Sequence, residues 1–182
     1  QSRGLGDVYK RQGYAGRKKL VRGKIVMKVI GITGGVGSGK SAVLKLLEEE
    51  YHAVVVQLDE VAKALQRKGT PCWKAIVEAF GREILDENEE LDRKKLAQIV
   101  FQSSEKLEQL NGIVHPAVKQ QVLLDIEEKR KEKTELYVLE AALLLEAGYA
   151  KICEETWFIY TEESVRRERL KAVSYTHLTL PT

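Results

Sequence analysis

The sequence predicts an α/β fold, a parallel sheet flanked by helices with a helical insertion between two of its strands. Three observations carry this reading. Apolar, largely β-branched runs recur at 28–32, 53–56, 136–139 and 156–160. Long stretches with helical period separate them, and strands joined by helices imply right-handed crossovers and parallel pairing. A glycine-rich segment, finally, links the first run directly to an amphipathic helix.

The first element is the strand 28–32, with Val29-Ile30-Gly31-Ile32 as its apolar run. It leads into Gly34-Gly35-Val36-Gly37-Ser38-Gly39-Lys40-Ser41, which fits G-x-x-x-x-G-K-[ST] at every fixed position. The following helix, 39–51, carries Val43, Leu46 and Leu47. This is the context of a phosphate-cradling P-loop. Glycine tolerates positive φ and lets successive N–H groups converge on an anion. The helix start adds free donors and a partial positive charge. Gly35, Val36, Gly37, Ser38, Gly39, Lys40, Ser41 and Ala42 are therefore expected to bind a nucleoside triphosphate, with Lys40 between the β- and γ-phosphates and the Ser41 hydroxyl on Mg2+.

The second strand, 53–56, is followed by Asp59. From 60 to about 131 the chain is helical and amphipathic, broken once at Gly69-Thr70-Pro71. Ser103 or Ser104 can cap a short helix with Leu107 and Leu110, and Pro116 suits the first turn of another, carrying Val118, Val122 and Ile126. The charged run from Glu127 to Glu135 reads as a solvated helix end. Strand character returns at 136–139 and 156–160, and Thr161 is expected to cap a last helix with Glu162 and Glu163 in its first turn. Active sites of parallel sheets lie at the C-terminal strand ends. The P-loop, Asp59 and Glu140 all fall there.

The 182 residues suit one domain with an insertion and can bury a substantial core. No apolar run is long enough to span a bilayer. Cys72 and Cys153 lie far apart and outside any C-x-x-C, so neither a disulfide framework nor a metal site is implied and a reducing cytoplasm fits. The net charge of +3 misleads, because residues 1–26 hold eight Lys or Arg against one Asp. The rest carries 22 basic and 26 acidic side chains, a net of −4. A nucleic-acid binder would concentrate positive charge instead.

Met27 is the single methionine and reads as the native start. Residues 1–26, without an apolar h-region, are expected to be a non-native or disordered leader, and 173–182 a non-native tail. That leaves 27–172 as the folded domain, with its helical insert at about 60–131.

Within 27–172 the chain resembles the dephospho-CoA kinase family. Ile30-Gly31-Ile32-Thr33-Gly34-Gly35 looks like the family's entry to its P-loop, and Asp59-Glu60-Val61-Ala62 resembles its acidic motif after the second strand. Phe80-Gly81, Leu91-Asp92-Arg93 and Leu96 match its helical substrate domain. Leu110-Asn111-Gly112-Ile113-Val114-His115-Pro116 is similar to its most specific motif, and Leu143-Leu144-Leu145-Glu146 to its Leu-Leu-x-Glu segment. Arg169-Leu170 resembles the start of its lid. The chain departs from the family at Gln57, where the first of two aspartates is usual, and at Ala142, where proline is usual. The match ends at Ala172, so the lid is expected to be incomplete, as in a truncated copy.

The resemblance implies transfer of the γ-phosphoryl of ATP to the ribose 3′-hydroxyl of dephospho-CoA, with ATP and Mg2+ required and no nucleic acid or membrane as partner. It casts Lys40, Asp59 and Arg169 as catalytic. Asp59, Arg93 and His115 become substrate contacts. From the residues alone Asp59 can accept the acceptor's proton or cap a helix, and His115 can touch substrate or cap its helix. Arg93 can bind phosphate or be a surface charge. Glu140 can reach magnesium through water or form a salt bridge. Arg166 and Arg167 are expected to be solvated. Three alternatives stand beside the kinase: another nucleoside or nucleotide kinase of this fold, an NTP-driven switch, and a fragment that binds nucleotide without catalysing.

Overall fold

The structure, a computed structural model, describes residues 20–21, 24–142, 144–145 and 148–178. A two-residue antiparallel ribbon, β1 (Leu20–Val21) and β2 (Lys24–Ile25), precedes the main sheet. The main sheet contains β3 (Lys28–Gly34), β4 (Val54–Gln57), β5 (Leu136–Glu140) and β6 (Glu155–Ile159) in the order β4-β5-β3-β6. Every pairing in it is parallel, as the alternation of strands and helices predicts.

Strand residues alternate between faces, and the core divides accordingly. Ile30, Ile32 and Val138 pack with Leu44 and Leu47 of α1 (Lys40–Tyr51) on one face. Val29, Tyr137 and Leu139 meet the helical insert on the other. Gly31 belongs to this second face, where an added Cβ would lie 2.9 Å from Leu144 and 3.0 Å from the Cys153 sulfur.

The insert contains α2 (Leu58–Leu65), α3 (Pro71–Phe80), α4 (Arg93–Phe101) and α5 (Ser104–Lys131). Thr70 caps α3 by accepting from the Trp73 N–H, Asp92 caps α4 by accepting from the Lys94 and Lys95 N–H groups, and Ser103 caps α5 by accepting from Lys106. The expectation of a helix boundary at Pro116 is corrected. α5 runs unbroken for 28 residues with Pro116 inside it. A mid-helix proline costs about 3 kcal/mol or more, through a lost hydrogen bond and a clash with the i−4 carbonyl. Here Pro116 is exposed, and Val114, Val118, Val122 and Ile126 bury a continuous apolar stripe that holds the helix together across it. His115, being mid-helix, caps nothing.

α6 (Glu163–Leu178) follows β6. Leu143, Glu146, residues 1–19 and residues 179–182 of the sequence-predicted segments and tails lie outside the described residues.

Candidate active site

β3 and β5 are neighbours, yet the chain leaves β3 toward β4 and leaves β5 toward β6. This switch in direction opens a crevice at the C-terminal strand ends. Gly34 ends β3 there at φ 155°, so close to β6 that an added Cβ would lie 2.5 Å from the Ile159 carbonyl oxygen. The loop then turns into α1 through Gly39, whose φ of 93° suits glycine. α1 has no side-chain cap, unlike the capped α3, α4 and α5, and it has no acidic residue in its first turn. Its first N–H groups and its dipole are therefore left for an anion from outside.

Lys40 sits at the first helical position. Its ammonium donates to the Gly34 carbonyl at 2.8 Å and the Gly35 carbonyl at 3.3 Å, and its Nζ stands 3.9 Å from Glu140 Oε1. Burial pushes the Glu140 carboxyl above its usual range; Lys40 opposes that shift and the Asp59 charge adds to it. Lys40, Ser41, Gln57, Glu140 and Arg169 share a cavity of about 270 Å³ with the backbone of Gly37, Ser38 and Gly39. Ser41, Leu44 and Gln57 also line an adjoining open cavity of about 360 Å³, together with Lys45, Glu48, Val55 and Glu60.

The structure thus brings the P-loop, Glu140 and Arg169 together. Asp59 stands exposed in the first turn of α2, between the cavity-lining Gln57 and Glu60, while the N-cap position belongs to Gln57. That removes the cap as its role. Arg93 is exposed at the start of α4, near enough to Glu60 to help hold that carboxyl below its usual range, behind the larger effect of Lys63. His115 is exposed on α5, and no hydrogen bond links it to the loop.

Three residues of the site go beyond the sequence reading. Gln57 lies opposite Glu140 in the β4–β5 register and lines both cavities. Arg166, expected to be solvated, instead donates to the Val36 carbonyl at 3.0 Å and packs over Gly35. Thr161, expected to cap α6, donates its hydroxyl to the Ser38 carbonyl at 2.7 Å. Arg167 pairs with Glu163 and stays outside. Spacing held the missing signal. Arg166 and Arg169 are three apart and share a helix face, and Arg167 does not.

Ser41 and Glu140 offer oxygen donors on one cavity wall, which suits magnesium, a hard cation that keeps several waters and needs few protein ligands. Among the described residues no group of three or more His, Cys, Asp or Glu stands where it could hold a metal ion.

Comparison with known proteins finds relatives in sequence and in fold. The sequence pattern of the family described as dephospho-CoA kinase matches residues 28–177. The dephospho-CoA kinase of Enterococcus faecalis is 41% identical over 145 residues, covering 80% of this chain and 72% of that protein. That of Geobacillus kaustophilus is 40% identical over 141 residues, covering 78% and 70%. Among solved structures, TT1252 from Thermus thermophilus superposes with a TM-score of 0.65 at 29% identity, covering 85% of this chain and 81% of that one. The dephospho-CoA kinase from Campylobacter jejuni shares the fold, with a TM-score of 0.54 at 16% identity over 83% of this chain and 98% of that one.

Proposed function

The chain belongs to the dephospho-CoA kinase family, and on that premise we propose that it phosphorylates the ribose 3′-hydroxyl of dephospho-CoA with ATP through the cavity at the ends of β3, β4 and β5. The observation that carries this reading is the convergence of Lys40, Ser41, Glu140 and Arg169 on one cavity with the uncapped start of α1. The loop amides and Lys40 bind the β- and γ-phosphates, and Arg169, lying against the loop at Gly37, adds positive charge to the same cavity. Asp59 receives the proton of the acceptor hydroxyl as its oxygen bonds to the γ-phosphorus. The bond from that phosphorus to the β–γ bridging oxygen breaks, and ADP leaves. The protein's contribution is positioning and charge neutralisation. Mg2+, when bound by Ser41, Glu140 and the phosphates, supplies further neutralisation of the triphosphate charge.

Arg93, at the insert side, is the candidate for an acceptor phosphate, and His115 for a more distant acceptor contact. Among the described residues no helix is long and apolar enough to cross a membrane, and we place the reaction in the cytoplasm. The test is a phosphorylation assay with dephospho-CoA, adenosine, AMP and other nucleosides as acceptors. Selective conversion of dephospho-CoA to coenzyme A supports the reading. Preference for a free nucleoside or nucleotide would move the chain to another kinase activity. ATP hydrolysis indifferent to any acceptor would point to a switch.

A further inference from the structure

We propose that Thr161 is a positioning residue for the phosphate-binding loop, acting through the peptide that joins Ser38 to Gly39. The proposal rests on the triphosphate reading of that loop. Thr161 follows β6 and is remote in sequence from Ser38, yet its hydroxyl donates to the Ser38 carbonyl at 2.7 Å. In a trans peptide the C=O and the next N–H point in opposite directions. Holding the Ser38 carbonyl toward Thr161 therefore turns the Gly39 N–H to the other side, toward the cavity that Gly37, Ser38, Gly39 and Lys40 line.

The neighbouring carbonyls also receive side-chain donors. Arg166 holds the Val36 carbonyl at 3.0 Å and Arg169 the Gly37 carbonyl at 3.3 Å. Three consecutive carbonyls of the loop are thus each held by a side chain from the segment Thr161–Arg169. Of these, Thr161 reaches the most enclosed. Ser38 is 4% exposed, its N–H is spent on the Gly35 carbonyl, and its own hydroxyl is buried without a partner. Without the Thr161 hydroxyl the Ser38 carbonyl would lack that donor in a place where water has little access, which is costly. Glycine at 39 makes a flip of that peptide sterically cheap. A flip would point a carbonyl oxygen at the phosphates where an N–H belongs.

The test compares Thr161→Val, which keeps the shape and removes the donor, with Thr161→Ser, which keeps the donor. ATP affinity is measured by titration, the KM values for ATP and dephospho-CoA by steady-state assay, and Tm by thermal melting. Thr161→Val is expected to weaken ATP binding about 3- to 10-fold, the worth of one hydrogen bond, with the KM for dephospho-CoA unchanged. Thr161→Ser is expected to behave as the parent. ATP affinity unchanged in Thr161→Val overturns the proposal. So does equal loss in Thr161→Ser, or a parallel rise of both KM values with a collapsed Tm. If Thr161→Val does not fold, Thr161→Ala carries the same comparison. A parent chain that bound no ATP would sink the triphosphate site itself, and the positioning role with it.

Discussion

Lys40 Nζ and Glu140 Oε1 face each other at 3.9 Å, one from the start of α1 and the other from the end of β5. The ammonium is already held by the Gly34 and Gly35 carbonyls. The cation is therefore fixed at the mouth of the loop by the loop's own backbone, and the carboxylate beside it is only half of its environment.

Removing that cation should remove the reaction. Lys40→Ala is expected to lower phosphoryl transfer at least about a hundredfold, as deleting a preorganised charge at a transferring group does. Parent-like turnover in a coupled ADP-release assay would exclude Lys40 from the transfer.

Asp59 is exposed, with no cap role to keep it. Asp59→Asn is expected to lower kcat by about 10²–10⁴, the usual worth of a general base, while ATP affinity holds. An unchanged kcat would leave Asp59 a first-turn acid that merely complements the α2 dipole.

Glu140 gives a pH dependence whose sign can be worked out. Burial, first, and the Asp59 charge raise its pKa above the ordinary 4.5, with Lys40 opposing. Between 4.5 and the folded-state value the native protein binds more protons at this site than the unfolded chain. Stability therefore falls as pH rises through that window, and the contribution is fully favourable only below it. Glu140→Gln removes the penalty. It is expected to melt above the parent at neutral pH and with it in acid. Equal melting temperatures at neutral pH would show that the Lys40 contact offsets burial.

The unbroken α5 predicts that Pro116→Ala stabilises the protein. The restored N–H can reach the Gly112 carbonyl, and the gain of about 3 kcal/mol in helix propensity is reduced by about 1 kcal/mol from the freer unfolded chain. A higher denaturation midpoint is the expected outcome. No gain would mean the helix has already relaxed around the ring.

Burial raises the Cys72 thiol and pushes Cys153 up to about 11. Both are then protonated at neutral pH and poorly nucleophilic. A thiol reagent such as Ellman's is expected to react slowly with the native protein and quickly in denaturant. Rapid native labelling would contradict the burial.

What the sequence made legible was whatever depends on local pattern. Val29, Ile30 and Ile32 announce a buried strand, and Gly34 to Ser41 announce its loop. The strand ends then place Glu140 and the loop at one edge of the sheet. Pro116 misled because its local signal is a helix start, and only the stripe from Val114 to Ile126, buried against the rest of the insert, overrides it. Thr161 and Arg166 were illegible for a different reason. Threonine before two glutamates has a local use as a cap, and nothing local reveals that its hydroxyl meets a carbonyl remote in the chain. Gln57 stood out in the sequence only as a departure from the family's paired aspartates, and its place beside Glu140 came from the β4–β5 register.

The strand order has a consequence for how the molecule is made. β3 is interior to the sheet, but neither of its neighbours exists until roughly a hundred residues after it have been synthesised, since Lys28 pairs with Leu136 and Ile30 with Glu155. On the ribosome its Val29, Ile30 and Ile32 must wait, unpaired and apolar, while α2 to α5 assemble through contacts much closer in sequence. The insert is thus placed to fold first and to offer Val29 a surface before β5 arrives. Long-range parallel pairing of this kind is slow, so the strand that leads into the glycine-rich loop is the segment most in need of protection at birth.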